Sequence, residues 1–134
     1  MDTKELLFKD LCARLPYGVK VEITHWRNRD KGMIDSKIFP VPLDVNKASV
    51  LIKPTSDIRP YLFPLSSITI EQEKELSKLG VSYGEYALHD DIRGLGIMVD
   101  EAYIFFEFCY KHHIDFLGLI EMGLAIDATG LDIY

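Results

Sequence analysis

The chain has 134 residues, 48% of them apolar and 11% aromatic, which is enough to bury one core, too short for two ordinary ones, and too apolar for a disordered polypeptide. Its formal charge of −6 is unevenly spread: residues 1–84 hold 13 basic and 11 acidic side chains, residues 85–134 hold 2 and 10. An acidic C-terminal third is a poor surface for phosphates, so a nucleic-acid contact has to use the first part of the chain.

The opening MDTKELLFKDL carries charges at every third or fourth place, unlike a signal peptide or an anchor. Residues 3–15 read as an amphipathic helix with Leu7, Leu11 and Leu15 on one face and Phe8 and Cys12 beside them. Lys4, Lys9, Asp10 and Arg14 are expected to face elsewhere, Asp2 or Thr3 to cap the start, and Pro16 with Gly18 to end the helix. From Gly18 the period becomes two: Val19, Val21 and Ile23 alternate with Lys20, Glu22 and Thr24, the clearest strand signal in the chain. The polar run from Arg27 to Gly32 predicts a hairpin connection, and Met33 to Phe39 a second strand stopped by Pro40 and Pro42. A third strand is expected over Ala48 to Lys53. Pro54, Pro60 and Pro64 then predict an extended connection across the sheet edge, pinned by Tyr61, Leu62, Phe63 and Leu65.

Thr69-Ile-Glu-Gln72 fits a capping box, which starts a helix over 70–79 that Gly80 closes. Residues 80–98 show no period and read as an ordered loop. The next helix is expected after Asp100 as N-cap and runs to about His113, with Glu107 and Lys111 at ion-pair spacing and Phe105, Phe106, Phe108 and Cys109 over the apolar surface. One short helical turn between Gly118 and Gly123 follows, and the tail from Asp127 to Tyr134 has little in its sequence to hold it.

These elements predict an α+β fold: a small bent antiparallel sheet, in the limit a partial barrel, covered by about three helices. The chain reads as one domain, with an N-terminal helix over 1–16, a β-rich part over 17–68, a helical part over 69–126 and a tail over 127–134. No apolar run approaches the roughly 18 residues of a membrane span. Cys12 and Cys109 lie far apart without a CxxC pattern and are expected to be buried thiols, in keeping with a cytoplasmic protein.

No sequence motif for catalysis, nucleotide binding or cofactor attachment occurs, so no cofactor is expected. Four histidines, His25, His89, His112 and His113, raise a metal hypothesis. The adjacent pair points about 100° apart on a helix and matches no ligand spacing, so interaction with the helix C-terminus explains it better. His89-Asp90-Asp91 resembles the paired His-Asp of metal phosphohydrolases but lacks their further ligands, which makes a metal-dependent hydrolase with His113 as helper the weakest reading. The hairpin tip is the remaining candidate: Trp26, Arg27, Arg29 and Lys31, next to His25, combine a stackable ring with cations.

Three stretches, DLCARLPYGVKV at 10–21, IRPYLFPLSS at 58–67 and HHIDFLGLIEMGLA at 112–125, together resemble a family of short uncharacterised proteins of gut bacteria and their phages. That family has no assigned activity, so the resemblance implies an accessory, phage-related context and carries over no catalytic residue. The leading expectation is a non-enzymatic binding or adaptor protein whose partner is another protein or a second copy of itself. A nucleic-acid-binding accessory protein acting through the hairpin tip is the alternative, and no membrane partner is expected.

Overall fold

The computed structural model describes residues 2–44, 56–80 and 99–134, the side chains of 99–101 excepted. Helix α1 (Thr3–Arg14) starts where the Asp2 carboxylate accepts the Glu5 N–H at 2.8 Å, one of the donors that a helix start leaves unpaired. A 3₁₀ turn over Leu15–Tyr17 and Gly18 at φ 71° reverse the chain, a left-handed conformation that favours glycine. Strands β1 (Lys20–Asn28), β2 (Met33–Pro42) and β3 (Ser56–Pro64) follow, then helices α2 (Ile70–Lys78) and α3 (Val99–Lys111) and two-residue strands β4 (Ile114–Asp115) and β5 (Ile126–Asp127).

The fold is α+β. Among the described residues three helices accompany a five-stranded, open, mixed sheet of order β2-β1-β3-β4, with β5 also on β3. The two long ladders, β1 with β2 and β1 with β3, are antiparallel, and the short strands β4 and β5 run parallel to β3. Val19, Val21 and Ile23 are each at most 2% exposed and share one core with Leu7 and Leu11 of α1, Ile58 and Leu62 of β3, and Leu119, as the change of period at Gly18 requires. A second cluster joins Leu76 of α2 to Phe105, Phe108 and Cys109 of α3 and to Ile114 and Phe116. The capping box is present in full: Gln72 N–H donates to Thr69 Oγ1, and Thr69 N–H to Gln72 Oε1.

Several expectations are corrected. Asp10 and Arg14 do not face outward; α1 buries Leu7, Asp10, Leu11 and Arg14, while Phe8 and Cys12 are exposed. The spacing of these four still describes one helical face, but it is turned toward acceptors that lie about a hundred residues on. Arg14 Nε donates to Asp10 Oδ2 at 2.8 Å, Nη1 to the carbonyl of Cys109 at 3.3 Å and Nη2 to that of Ile114 at 2.6 Å. Pro40 and Pro42 do not stop β2, because it is an edge strand, where a missing N–H costs no ladder bond on the open side.

The proline-rich stretch is no edge connection but the central strand β3. Pro60 stands opposite Val21 at the last position paired with β1, and pairing with β5 begins at Tyr61. Pro60 and Pro64 therefore fall where β3 changes partners and where it ends, and Pro54 lies outside the described residues. Helix α3 includes Asp100 rather than starting after it, and Lys111 reaches Glu75 while Glu107 accepts from the Tyr17 hydroxyl. The expected strand over 48–53 and loop over 81–98 lie outside the described residues.

The C-terminal tail is held firmly. After α3, His113 takes φ 59°, a conformation in which histidine is over-represented among non-glycine residues, and its ring stacks on Tyr134 at 3.8 Å. The Tyr134 oxygen accepts the Lys20 N–H at 2.8 Å and donates to the Tyr61 carbonyl at 2.7 Å, and Lys20 Nζ donates to the Ile133 carbonyl. Between these points the Asp115 carboxylate accepts the N–H groups of Leu117, Leu119 and Ile120, and Met122 N–H reaches the Gly118 carbonyl, closing the single helical turn expected between Gly118 and Gly123.

Burial, reinforced by the positive charges of Arg14, His112 and Lys20, lowers the His113 pKa to about 4, and burial raises that of the Tyr134 hydroxyl to about 12. A folded-state pKa below the ordinary 6.5 means that the unfolded chain takes up a proton first as pH falls. Stability present above pH 6.5 is therefore lost between 6.5 and about 4. His113→Asn, which tolerates the same φ, is expected to flatten the slope of urea-unfolding free energy against pH in that window relative to the parent chain. Arg14→Ala leaves the buried Asp10 carboxyl without its partner, and is expected to cost about 3–5 kcal/mol in the same unfolding measurement.

Candidate functional site

The β1–β2 hairpin carries the cations singled out from sequence, and the structure shows how both arginines are held. Trp26 Nε1 donates to Asp57 Oδ2 at 2.7 Å, and Arg29 Nη2 donates to Asp57 Oδ1 at 2.9 Å and to the Ser56 carbonyl at 3.3 Å. The Arg29 guanidinium lies 6.0 Å from the centre of the Trp26 ring, within reach of a cation–π contact. Arg27 donates to Asp35 on the neighbouring strand at 3.1 Å. At the turn, Lys31 N–H donates to Asn28 Oδ1 and Gly32, at φ 68°, donates its N–H to the Arg29 carbonyl.

Trp26 and Arg29 open onto a cleft of about 570 Å³, formed where the start of α1 meets β1, β3 and the turn before β5. Leu7, Ile58 and Leu124 supply apolar surface, and Thr3, Lys4, Thr24, Ser56, Asp57 and Arg59 supply polar groups. Two of the polar groups are held from outside the cleft: Ser56 Oγ and His25 Nδ1 are hydrogen-bonded at 2.7 Å, and Arg59 donates to Glu22 at 2.7 Å. Glu22, itself 7% exposed, also faces Lys37 at 3.5 Å. Arg27 and Lys31 do not line the cleft.

Of the candidate binding residues Trp26, Arg27, Arg29 and Lys31, then, the fold brings Trp26 and Arg29 to one site and leaves Arg27 and Lys31 on the hairpin surface. Asp57, Ser56 and Leu124 were missed. Asp57-Ile-Arg59 alternates like a strand, a signal that the flanking prolines masked, but nothing local marks Asp57 as the acceptor for Trp26 and Arg29.

The histidines serve separate contacts. His25 meets Ser56; His112 Nε2 lies 2.8 Å from Glu75 Oε2, with Lys111 Nζ 3.2 Å from Glu75 Oε1; His113 stacks on Tyr134. Burial acts to raise the Glu75 pKa, but the hydrogen bonds from Lys111 and His112 outweigh it and hold the carboxyl below its ordinary value. Among the described residues no group of three or more His, Cys, Asp or Glu side chains is placed to hold a metal ion; His89, Asp90 and Asp91 lie outside them. Cys109 is buried, and burial raises its thiol pKa far above the usual range. Cys12, expected to be buried, is exposed because it sits on the outer face of α1. The aromatic surface of α3 is largely spent inside, with Phe105 and Phe108 buried and Tyr103 outside.

Among the described residues no helix is long and apolar enough to cross a membrane. Comparison of the chain with protein-family models, with curated proteins and with solved structures returned no match.

If Asp57 organises the hairpin base as the geometry requires, removing the indole N–H and the carboxylate should not be additive. A double-mutant cycle of Trp26→Phe and Asp57→Ala in chemical denaturation is expected to give a coupling energy of about 1 kcal/mol. Additive losses would show that the Trp26–Asp57 hydrogen bond contributes nothing.

Proposed function

We propose that the chain is a non-enzymatic binding or adaptor protein that takes a short segment of a partner protein into the cleft beside Trp26, in a cytoplasmic, phage-related accessory role. The observation that carries the reading is the composition of that cleft: about 570 Å³, with Leu7, Ile58 and Leu124 offering apolar contact beside Trp26 and a few anchored polar groups. Ligand sites commonly have this size and this mixture.

The polar groups favour binding over turnover. Asp57 is held by Trp26 and Arg29, and Arg59 by Glu22. The Ser56–His25 pair is the nearest approach to a nucleophile and base, but a triad also needs a third group that orients the imidazole, and none is found on the His25 ring among the described residues. Side chains committed in this way orient a ligand, whereas general acid–base catalysis needs a proton free to move. The phosphate-contact alternative has less support, because Arg27 and Arg29 already face Asp35 and Asp57. Two free cysteines suit a reducing compartment, and the phage context rests on the resemblance of the three sequence stretches.

Trp26 is the single tryptophan of the chain, so its emission reports on the cleft directly. Peptides selected from a random library on the immobilised protein are expected to shift that emission on titration. They should bind about tenfold or more weakly to Leu124→Arg, and likewise to Thr3→Arg, whose exposed position spares the core. Selected peptides that bind both variants as tightly as the parent, with no change at Trp26, would overturn the reading.

A further inference from the structure

A second surface, separate from the cleft, lies on β2. This strand ends the sheet order and is exposed along nearly its whole length. Met33, Ile34, Ile38 and Phe39 are 46%, 48%, 43% and 57% exposed. Among the described residues no strand pairs with its outer edge. An open, apolar strand edge is a template for pairing, which natural proteins usually blunt.

Three features of β2 select the occupant. The first is its limits: the turn that ends at Gly32 bounds it on one side, and Pro40 and Pro42 have no N–H to add to a ladder on the other. The usable segment is therefore Met33-Ile-Asp-Ser-Lys-Ile-Phe39, with Ser36 at its centre.

The second is that this segment complements itself when a copy is laid antiparallel about Ser36. Asp35 then faces Lys37 of the other copy and Lys37 faces its Asp35, with Met33 and Ile34 against Ile38 and Phe39 on both flanks. Opposite charges and apolar pairs across an antiparallel ladder are mutually stabilising, and a two-fold interface repeats each contact. On the β1 side Ser36 pairs with His25 and Ile34 with Trp26, so Asp35 is the extra residue of a bulge.

The third is that the central charges remain reachable although each has a partner within the chain. Asp35 accepts from Arg27, and Lys37 faces Glu22, while both stay partly exposed. A carboxylate has several acceptor sites, so Asp35 can receive a second cation without releasing the first.

We propose that β2 is a self-association edge: two copies of this chain pair antiparallel through Met33–Phe39 about a two-fold axis at Ser36, joining their sheets into one. The partner is a second copy because the complementarity lies within one strand and needs no other sequence.

The test is sedimentation equilibrium of the full chain across the micromolar range, with circular dichroism to verify folding. The parent is expected to be a reversible dimer. Asp35→Lys alone, and Lys37→Asp alone, each set like charges opposite one another at two symmetric places, and each is expected to weaken the dimer about tenfold or more. Mixing the two variants places opposite charges across the interface again, as does the double swap Asp35→Lys with Lys37→Asp, and both are expected to restore association. A parent that stays monomeric throughout would overturn the proposal, as would a dimer indifferent to the single swaps or one that mixing fails to rescue. Trp26 emission, which reads the cleft, stands apart from these outcomes.

Discussion

The Arg14 guanidinium is the contact on which the two ends of the chain depend. It is fully buried and spends its donors on the Asp10 carboxylate and on the carbonyls of Cys109 and Ile114, with the rings of Tyr110 and Phe116 at 5.2 and 6.0 Å. The Cys109 carbonyl lies in the last turn of α3, where helical carbonyls have no partner of their own and the dipole favours a cation. A buried ion pair is costly to desolvate and holds only when hydrogen bonds are nearly complete. Here one atom is left over: among the described residues Asp10 Oδ1 has no partner, and burial pushes the Asp10 carboxyl upward against the pull of Arg14. What the arrangement gives is uniqueness of assembly, since only one docking of α1 against α3 and β4 supplies these acceptors together.

The remaining architecture follows from that docking. With α1 fixed, its Leu7 and Leu11 close over Val19, Val21 and Ile23, and α3 brings its own core of Phe105, Phe108 and Cys109 beside Ile114. Strand β3 can then lie between β1 on one side and the two short returning strands on the other, changing partner at Pro60. The C-terminal residues finish the sheet: Ala128 N–H donates to the Leu62 carbonyl, and Tyr134 reaches both Lys20 and Tyr61. Acidification acts on this last clasp through His113, which the fold keeps neutral.

The two proposed surfaces divide in the same way. The cleft gathers residues from α1, β1, β3 and the turn before β5, so it exists only in the assembled domain, with Trp26, Asp57 and Arg29 linked by hydrogen bonds at its rim. The outer edge of β2 belongs to one continuous segment and needs only the hairpin beneath it. In the adaptor reading proposed above, the first surface takes the ligand and the second the other copy.

What the sequence determined by itself was local. The Asp2 cap, the stop at Pro16 and Gly18, the shared buried face of Val19, Val21 and Ile23, and the Thr69–Gln72 capping box all depend on neighbours within a few residues, and each stands as read. Cys12 and Phe8 were misplaced because a charged pair, Asp10 and Arg14, took the inward face that apolar spacing alone had assigned to them. Only the tertiary structure decided that turn of the helix, the central place of the proline-rich strand, the anchoring of the tail and the meeting of Trp26 with Asp57. In each case the deciding acceptor or covering surface lies far along the chain, where periodicity carries no information.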